Sequence, residues 1–188
     1  ADAAPVKGTR GPLPSVGDIG PLDFPAVTRA RLSNGIELVY AQRTAVPITQ
    51  AVMSFDAGAA ADVPDKLGTQ AVMLASLEEG AGERDSIELA EVQERLGMQI
   101  NAASSADRTN VSLQAPSANL SGAIDIFADV VRNPTFDPAE VARVKNQSLA
   151  RIAAELSNPN GLAARALPPL IYGTASPYAK LAAGSGDA

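Results

Sequence analysis

A chain of 188 residues that is 46% apolar but only 4% aromatic can bury a core of Ala, Val, Leu and Ile, so it is globular rather than disordered. Its formal charge of −6, from 21 acidic and 15 basic residues with no long run of either sign, argues against a nucleic-acid surface. It contains neither Cys nor His, which removes disulfides, thiolate nucleophiles, the usual general base and the commonest zinc ligands.

The first residue is Ala, and residues 1–25 are rich in Pro, Gly and Ala without periodicity. They read as an extended arm after a removed signal peptide, which predicts a periplasmic or otherwise exported protein; a boundary within a cytoplasmic protein is the alternative. No run of about 18 apolar residues occurs, so no membrane span is predicted. A single domain over 26–188 follows.

Residues 28–33 and 36–40 flank Asn34-Gly35, a pair suited to a two-residue hairpin turn in which both central residues take positive φ. Residues 48–57 have the length and apolar content of a third strand, and "GAAADVPDKLG" (58–68) is a loop. A helix is predicted over 68–79. Asp85-x-x-Glu88 signals a capping box, with Leu89, Val92 and Leu96 on one face until Gly97 stops that helix. "MQINAASSA" and "TNVSLQA" form a strand pair, with Val111, Leu113 and Ala115 turned inward.

Ser117 is expected to cap a helix whose stripe is Leu120, Ile124, Phe127 and Val131. Asp137-Pro138-x-Glu140 combines a cap, a first-turn proline and a third-position carboxylate, and so starts a long helix. Asn158-Pro159-Asn160-Gly161 breaks it, and a short helix runs on toward Tyr172-Gly173. This order predicts an α+β fold, an antiparallel sheet with helices packed on one face. Asn-Gly hairpins and the lack of a Gly-rich phosphate loop exclude a parallel nucleotide-binding sheet.

The ordered phrases "LSNGIELVYAQ" (32–42), "FDAGAAAD" (55–62), "LGMQINAASSADRTNVSL" (96–113), "FADVVRNPTFDPAEVARVKNQ" (127–147) and "LIYGTASPYAKLAAGSGD" resemble the first domain of the pitrilysin and insulinase metallopeptidases. That group includes the mitochondrial processing peptidase and its non-catalytic partner subunits. The resemblance implies the LuxS/peptidase-like metalloenzyme fold. It also implies an inverted zinc motif, His-x-x-Glu-His, on the helix after the third strand. With Gly68 and Gly80 aligned to the glycines that bracket that helix, the first His falls on Ala71, the Glu on Leu74 and the second His on Ala75. These positions, i, i+3 and i+4, share one helical face, and none can ligate zinc or move a proton. The family's third ligand, a Glu on the long helix, falls near Ala150 and Arg151, with Glu155 one turn further on. No metal and no cofactor are expected.

No other constellation replaces the site. Glu78 and Glu79 are adjacent, so their side chains diverge by about 100° on a helix; they read as a solvated helix end. Asp85 and Asp137 are caps, and Lys145 lies among polar neighbours on a helix, where a surface role suits it. The resemblance leaves one working feature: family enzymes hold an extended peptide on the strand that here reads Ile100 to Ser104, and Asn101 and Ala102, with Ala103 beside them, match the family's peptide-binding positions. An ordinary edge strand kept for folding is the alternative.

The expected function is that of a non-catalytic homologue or subunit that pairs with an active, zinc-bearing homologue as a heterodimer and helps enclose an extended peptide. The alternatives are a zinc metalloendopeptidase whose site is completed by further sequence or by a partner, and a purely structural scaffold. In the family a further helix and strand, then a second similar domain, follow the segment that ends this sequence, so a fragment of a longer protein is expected.

Overall fold

The computed structural model describes residues 11, 17, 20, 21 and 24–184. The arm predicted for residues 1–25 lies almost wholly outside them. The chain divides between Val46 and Pro47 into two compact units.

The first unit holds an antiparallel hairpin of β1 (Val27–Arg31) and β2 (Glu37–Ala41), in which Arg31 opposes Glu37. Its turn departs from the two-residue form predicted. Gly35 N–H bonds to Leu32 C=O at 2.9 Å, Leu32 N–H bonds to Ile36 C=O at 2.8 Å, and only Gly35 has positive φ, at 89°. This is a type I turn closed by a left-handed glycine, the longer hairpin loop, in which Asn34 keeps an ordinary φ and accepts from Ile36 N–H instead.

The second unit is built on a three-stranded antiparallel sheet in the order β3 (Ile48–Phe55), β7 (Thr109–Pro116), β6 (Gln99–Ser104). Alternation assigns its faces. Rows such as Ala51–Leu113–Ile100 and Met53–Val111–Ala102 turn to the core, where Val111, Leu113 and Ala115 are buried as the sequence predicts. Helices cover this face: α1 (Thr69–Ala75) lies against β6, α3 (Leu120–Arg132) against β7, and α2 (Ser86–Leu96) beside α3. Leu74, Leu89, Val92, Ile126, Phe127 and Val130 join the strand residues in one cluster. The α+β plan and one-sided helical cover are those read from the sequence.

Several local expectations change. The helix predicted over 68–79 ends at Ala75; Ser76 becomes its C-cap, and the chain turns into two short strands, β4 (Gly80–Ala81) and β5 (Arg84–Asp85). Ser117 caps no helix. A 3-10 turn occupies Ser117–Asn119 before α3, and the Ser117 hydroxyl pairs with Thr49 Oγ1 at 2.8 Å. The buried stripe of α3 is Ala123, Ile126, Phe127 and Val130, with Leu120 and Val131 partly buried beside it, while Ile124 is exposed.

The remaining helix signals hold. Asp85 accepts from Ile87 and Glu88 N–H while Glu88 reaches back to Asp85 N–H, a complete capping box, and Gly97 ends α2 at φ 61°. Asp137 accepts from Ala139 and Glu140 N–H at the start of α4 (Pro138–Leu156). α5 (Pro159–Tyr172) begins inside the predicted break, with Asn158 as its cap and Pro159 in its first turn, and runs for 14 residues.

Candidate functional site

α1 is short, and neighbouring groups fix both of its ends. Before it, Gly68 takes φ 90°, and the Asp62 carboxylate accepts from Gly68 N–H at 2.8 Å and Gln70 N–H at 3.2 Å, a cap supplied from six and eight residues away. The Gln70 side-chain amide donates to Thr109 Oγ1 at 2.6 Å, and that hydroxyl donates to Ala57 C=O at 2.7 Å, tying the helix to the start of β7. Lys180 Nζ donates to Ala60 C=O at 2.6 Å and Asp62 C=O at 2.5 Å, bracing the loop that carries the cap.

Beyond α1 the two glutamates are not a solvated helix end. Glu78 is half-buried and accepts from Gln93 Nε2 at 3.2 Å; burial is the main reason its carboxyl titrates above the ordinary range, with the Gln93 bond opposing and Glu79 adding to the rise. Glu79 pairs with Arg143 of α4, which also bonds Glu140. The two carboxylates are thereby committed to α2 and α4 respectively. No local sequence signal marks Gln93, Arg143, Asp62 or Lys180 for these tasks, because each acts on a residue far along the chain.

On α1 itself, Leu74 is buried in the core, Ala71 is half-buried and Ala75 is exposed. Two methyls and an isobutyl offer no nitrogen, oxygen or sulfur, so this face does not fit zinc, which takes three or four such ligands. On α4, Ala150 and Arg151 are exposed and Glu155 bonds Arg165 at 2.9 Å. Close to those positions Ser148, Leu149 and Ile152 share a groove with Val72, Met73 and Ser76 of α1, an open and largely apolar hollow of about 740 Å³. Among the described residues no three His, Cys, Asp or Glu side chains gather as a metal would require. No step of chemistry follows from this face.

Asn101, Ala102 and Ala103 lie on β6, which hydrogen-bonds to β7 on one side only and is an edge of the sheet among the described residues. Asn101 and Ala103 are exposed on the outer face; Ala102 is half-buried against the core. The Asn101 C=O accepts from Ser112 Oγ at 3.2 Å, so part of its bonding capacity is spent within the sheet. α1 packs on both α4 and β6, so the helix that carries Ala71 and Ala75 borders the edge strand. The structure brings the two groups of sequence-predicted positions, 71/74/75 and 101–103, to one border of the sheet.

A sequence profile of the insulinase family, peptidase family M16, matches residues 38–176. Among solved structures the fold is similar to the inactive domain of a peptidase M16 from Pseudomonas fluorescens, with a TM-score of 0.78 and 31% identity over 84% of this chain and 38% of that one. A protease from Helicobacter pylori superposes with a TM-score of 0.78 at 18% identity, covering 88% of this chain and 40% of that chain. Pitrilysin does so with 0.71 at 21%, covering 87% and 17%. The last two likenesses are of fold alone. The chain spans well under half the length of each of these structures. No curated protein matches the sequence. No helix among the described residues is long and apolar enough to cross a membrane.

Proposed function

Because the chain belongs to the insulinase family, peptidase family M16, we propose that it is a non-catalytic M16 domain that works by pairing with a zinc-bearing homologous domain and by holding an extended peptide on β6. The observation that carries this reading is the residue types on α1: Ala71, Leu74 and Ala75, the positions to which the family resemblance carries the ligands and base, offer no donor atom, in a chain without His. Its support is the open edge beside that face, together with the description of the Pseudomonas fluorescens neighbour as an inactive domain. Strand addition needs main-chain donors and acceptors and no metal, so an edge can keep hold of a peptide after the chemistry beside it is lost.

The test has two arms. The purified chain is dialysed and analysed for metal, and its cleavage of an unstructured peptide is followed with and without chelator. It is then mixed with a zinc-bearing M16 domain from the same organism, and the mass of the mixture is read by light scattering on a sizing column. The expected results are no stoichiometric zinc, no chelator-sensitive cleavage by the chain alone, and a one-to-one complex. Zinc near one per chain with chelator-sensitive cleavage would overturn the non-catalytic assignment. Two separate peaks at all ratios would overturn the pairing.

A further inference from the structure

The border formed by β6 and α1 carries information about which peptides it accepts. Charged residues make up 19% of the sequence, yet the outer face of the sheet has none: its rows read Gln50–Gln114–Gln99, Val52–Ser112–Asn101 and Ser54–Asn110–Ala103. On the inner side β6 contributes Ile100, Ala102 and Ser104, and α1 packs against it, with Ala71 half-buried and Ala75 exposed on that helix. β6 itself has no charge, no proline and no bulge across Gln99–Ser104, none of the devices that keep foreign strands off an edge.

Resting on the peptide-holding role above, we propose that this edge selects uncharged segments in which apolar and polar residues alternate. An added strand continues the pleat, so its side chains fall alternately on the two faces. Those on the inner side enter a border of methyl, sec-butyl and hydroxymethyl groups beside α1, where an apolar side chain loses water at a gain and a charged one finds no partner on β6. Those on the outer side extend the amide rows, whose Gln and Asn side chains both donate and accept and so suit Ser, Thr, Gln or Asn neighbours. β6 itself carries no lysine, arginine or carboxylate, and at its far end Arg108 is paired with Asp56, so recognition along the strand is local and short-ranged.

The test uses a fluorescein-labelled octapeptide alternating Val with Ser or Gln, and two relatives in which two of the Val residues become Lys or become Glu. Binding to the intact chain is followed by anisotropy at low and moderate salt. The neutral peptide is expected to bind at least about tenfold more tightly than either charged one, since each charge must be desolvated unpaired, and its Kd should change by less than about twofold with salt, as screening has little to act on.

Ala102→Pro and Ala103→Pro locate the peptide, because consecutive residues of β6 send their N–H groups to opposite sides and only one of the two faces away from β7. The variant that keeps the parent's thermal transition should lose binding. A charged peptide that binds as tightly as the neutral one, or a steep salt dependence, would overturn the selectivity while leaving peptide capture intact. Binding by none of the three peptides, or binding untouched in the proline variant that keeps its thermal transition, would overturn both.

Discussion

Rebuilding the inverted zinc motif on α1 tests the seating of that helix before it tests any chemistry. Of Ala71→His, Leu74→Glu and Ala75→His, only the second reaches into the core: Ala75 is exposed, Ala71 is half-buried, and Leu74 is 8% exposed within the main cluster. Losing the buried isobutyl group costs about 3 kcal/mol, in the middle of the range for truncating core leucines. The glutamate stem restores some volume, but its carboxyl, removed from water without a partner, adds on the order of 2 kcal/mol when ionised. A total of about 4–5 kcal/mol approaches the whole stability of a small domain, roughly 5–15 kcal/mol.

The penalty depends on pH with a definite sign. Burial raises the introduced carboxyl above its unfolded pKa of about 4.3, so between the two values the folded state holds the extra proton. Stability relative to the parent is then best below about pH 4 and falls as pH rises through the folded pKa. Urea titrations followed by far-ultraviolet circular dichroism, at about pH 4.5 and pH 7.5, read both effects. The Ala71→His, Ala75→His pair should stay close to the parent, whereas every variant containing Leu74→Glu should lose several kcal/mol, more at the higher pH. Zinc should recover little of this, because Ala150 and Arg151 supply no third ligand and Glu155 is engaged by Arg165. A Leu74→Glu chain within about 0.5 kcal/mol of the parent at both pH values, well below any core penalty, would refute the seating of α1 described above. Tight zinc binding by the triple variant would refute the placement of α4.

Replacing Asp85 by Ala removes a complete capping box and should cost about 1 kcal/mol in a urea titration, with the loss confined to the free energy and not to the m-value. Glu78→Gln keeps a partner for Gln93 but removes a carboxyl whose pKa burial has raised. The variant should match the parent at low pH and become the more stable of the two as pH rises through the folded pKa of Glu78, which paired thermal melts across pH would show. Gly97→Ala meets only the Pro116 ring at 3.5 Å and so pays for positive φ alone, about 1 kcal/mol. Gly58→Ala places its methyl 2.2 Å from Ala106 C=O, so it should cost clearly more than Gly97→Ala in the same melt; equal losses would contradict the close approach of those two loops.

What could be read in the sequence was what depends on neighbours within one turn. Asp85, Asp137 and Gly97 announce their helix ends because a cap needs a side chain two or three residues from the amide it satisfies, and Val111, Leu113 and Ala115 announce their face because a pleat has period two. The Asn34-Gly35 pair marked a hairpin correctly but not its turn, since Asn-Gly can take positive φ at both residues of a two-residue loop or at the glycine alone in a longer one. The helix over 68–79 was drawn too long. Ser76 and the two glutamates continue a helical pattern on paper, while Gln93 and Arg143, 15 and 64 residues further on, hold Glu78 and Glu79 in a turn. For the candidate site, the chemistry missing from positions 71, 74 and 75 was visible from residue types alone. That α1 lies over the sheet border containing Asn101 and Ala102 is a matter of packing, and only the fold displays it.

The clamp on the loop before α1 sets an order of events during folding. Lys180 reaches Ala60 across 120 residues of sequence, and Gly68 and Gly184 meet so closely that a methyl on Gly68 would stand 2.9 Å from the Gly184 Cα. Closing so long a loop costs entropy that local contacts cannot offset beforehand. The brace that Lys180 places on the loop carrying the Asp62 cap is therefore expected to form late and open early, although that loop belongs to the earlier half of the chain. On a ribosome, α1 would wait for residue 184 to emerge before its base is locked. In the finished protein its amides should exchange with deuterium sooner than those of β7, through openings that release residues 177–184 while the sheet stays whole.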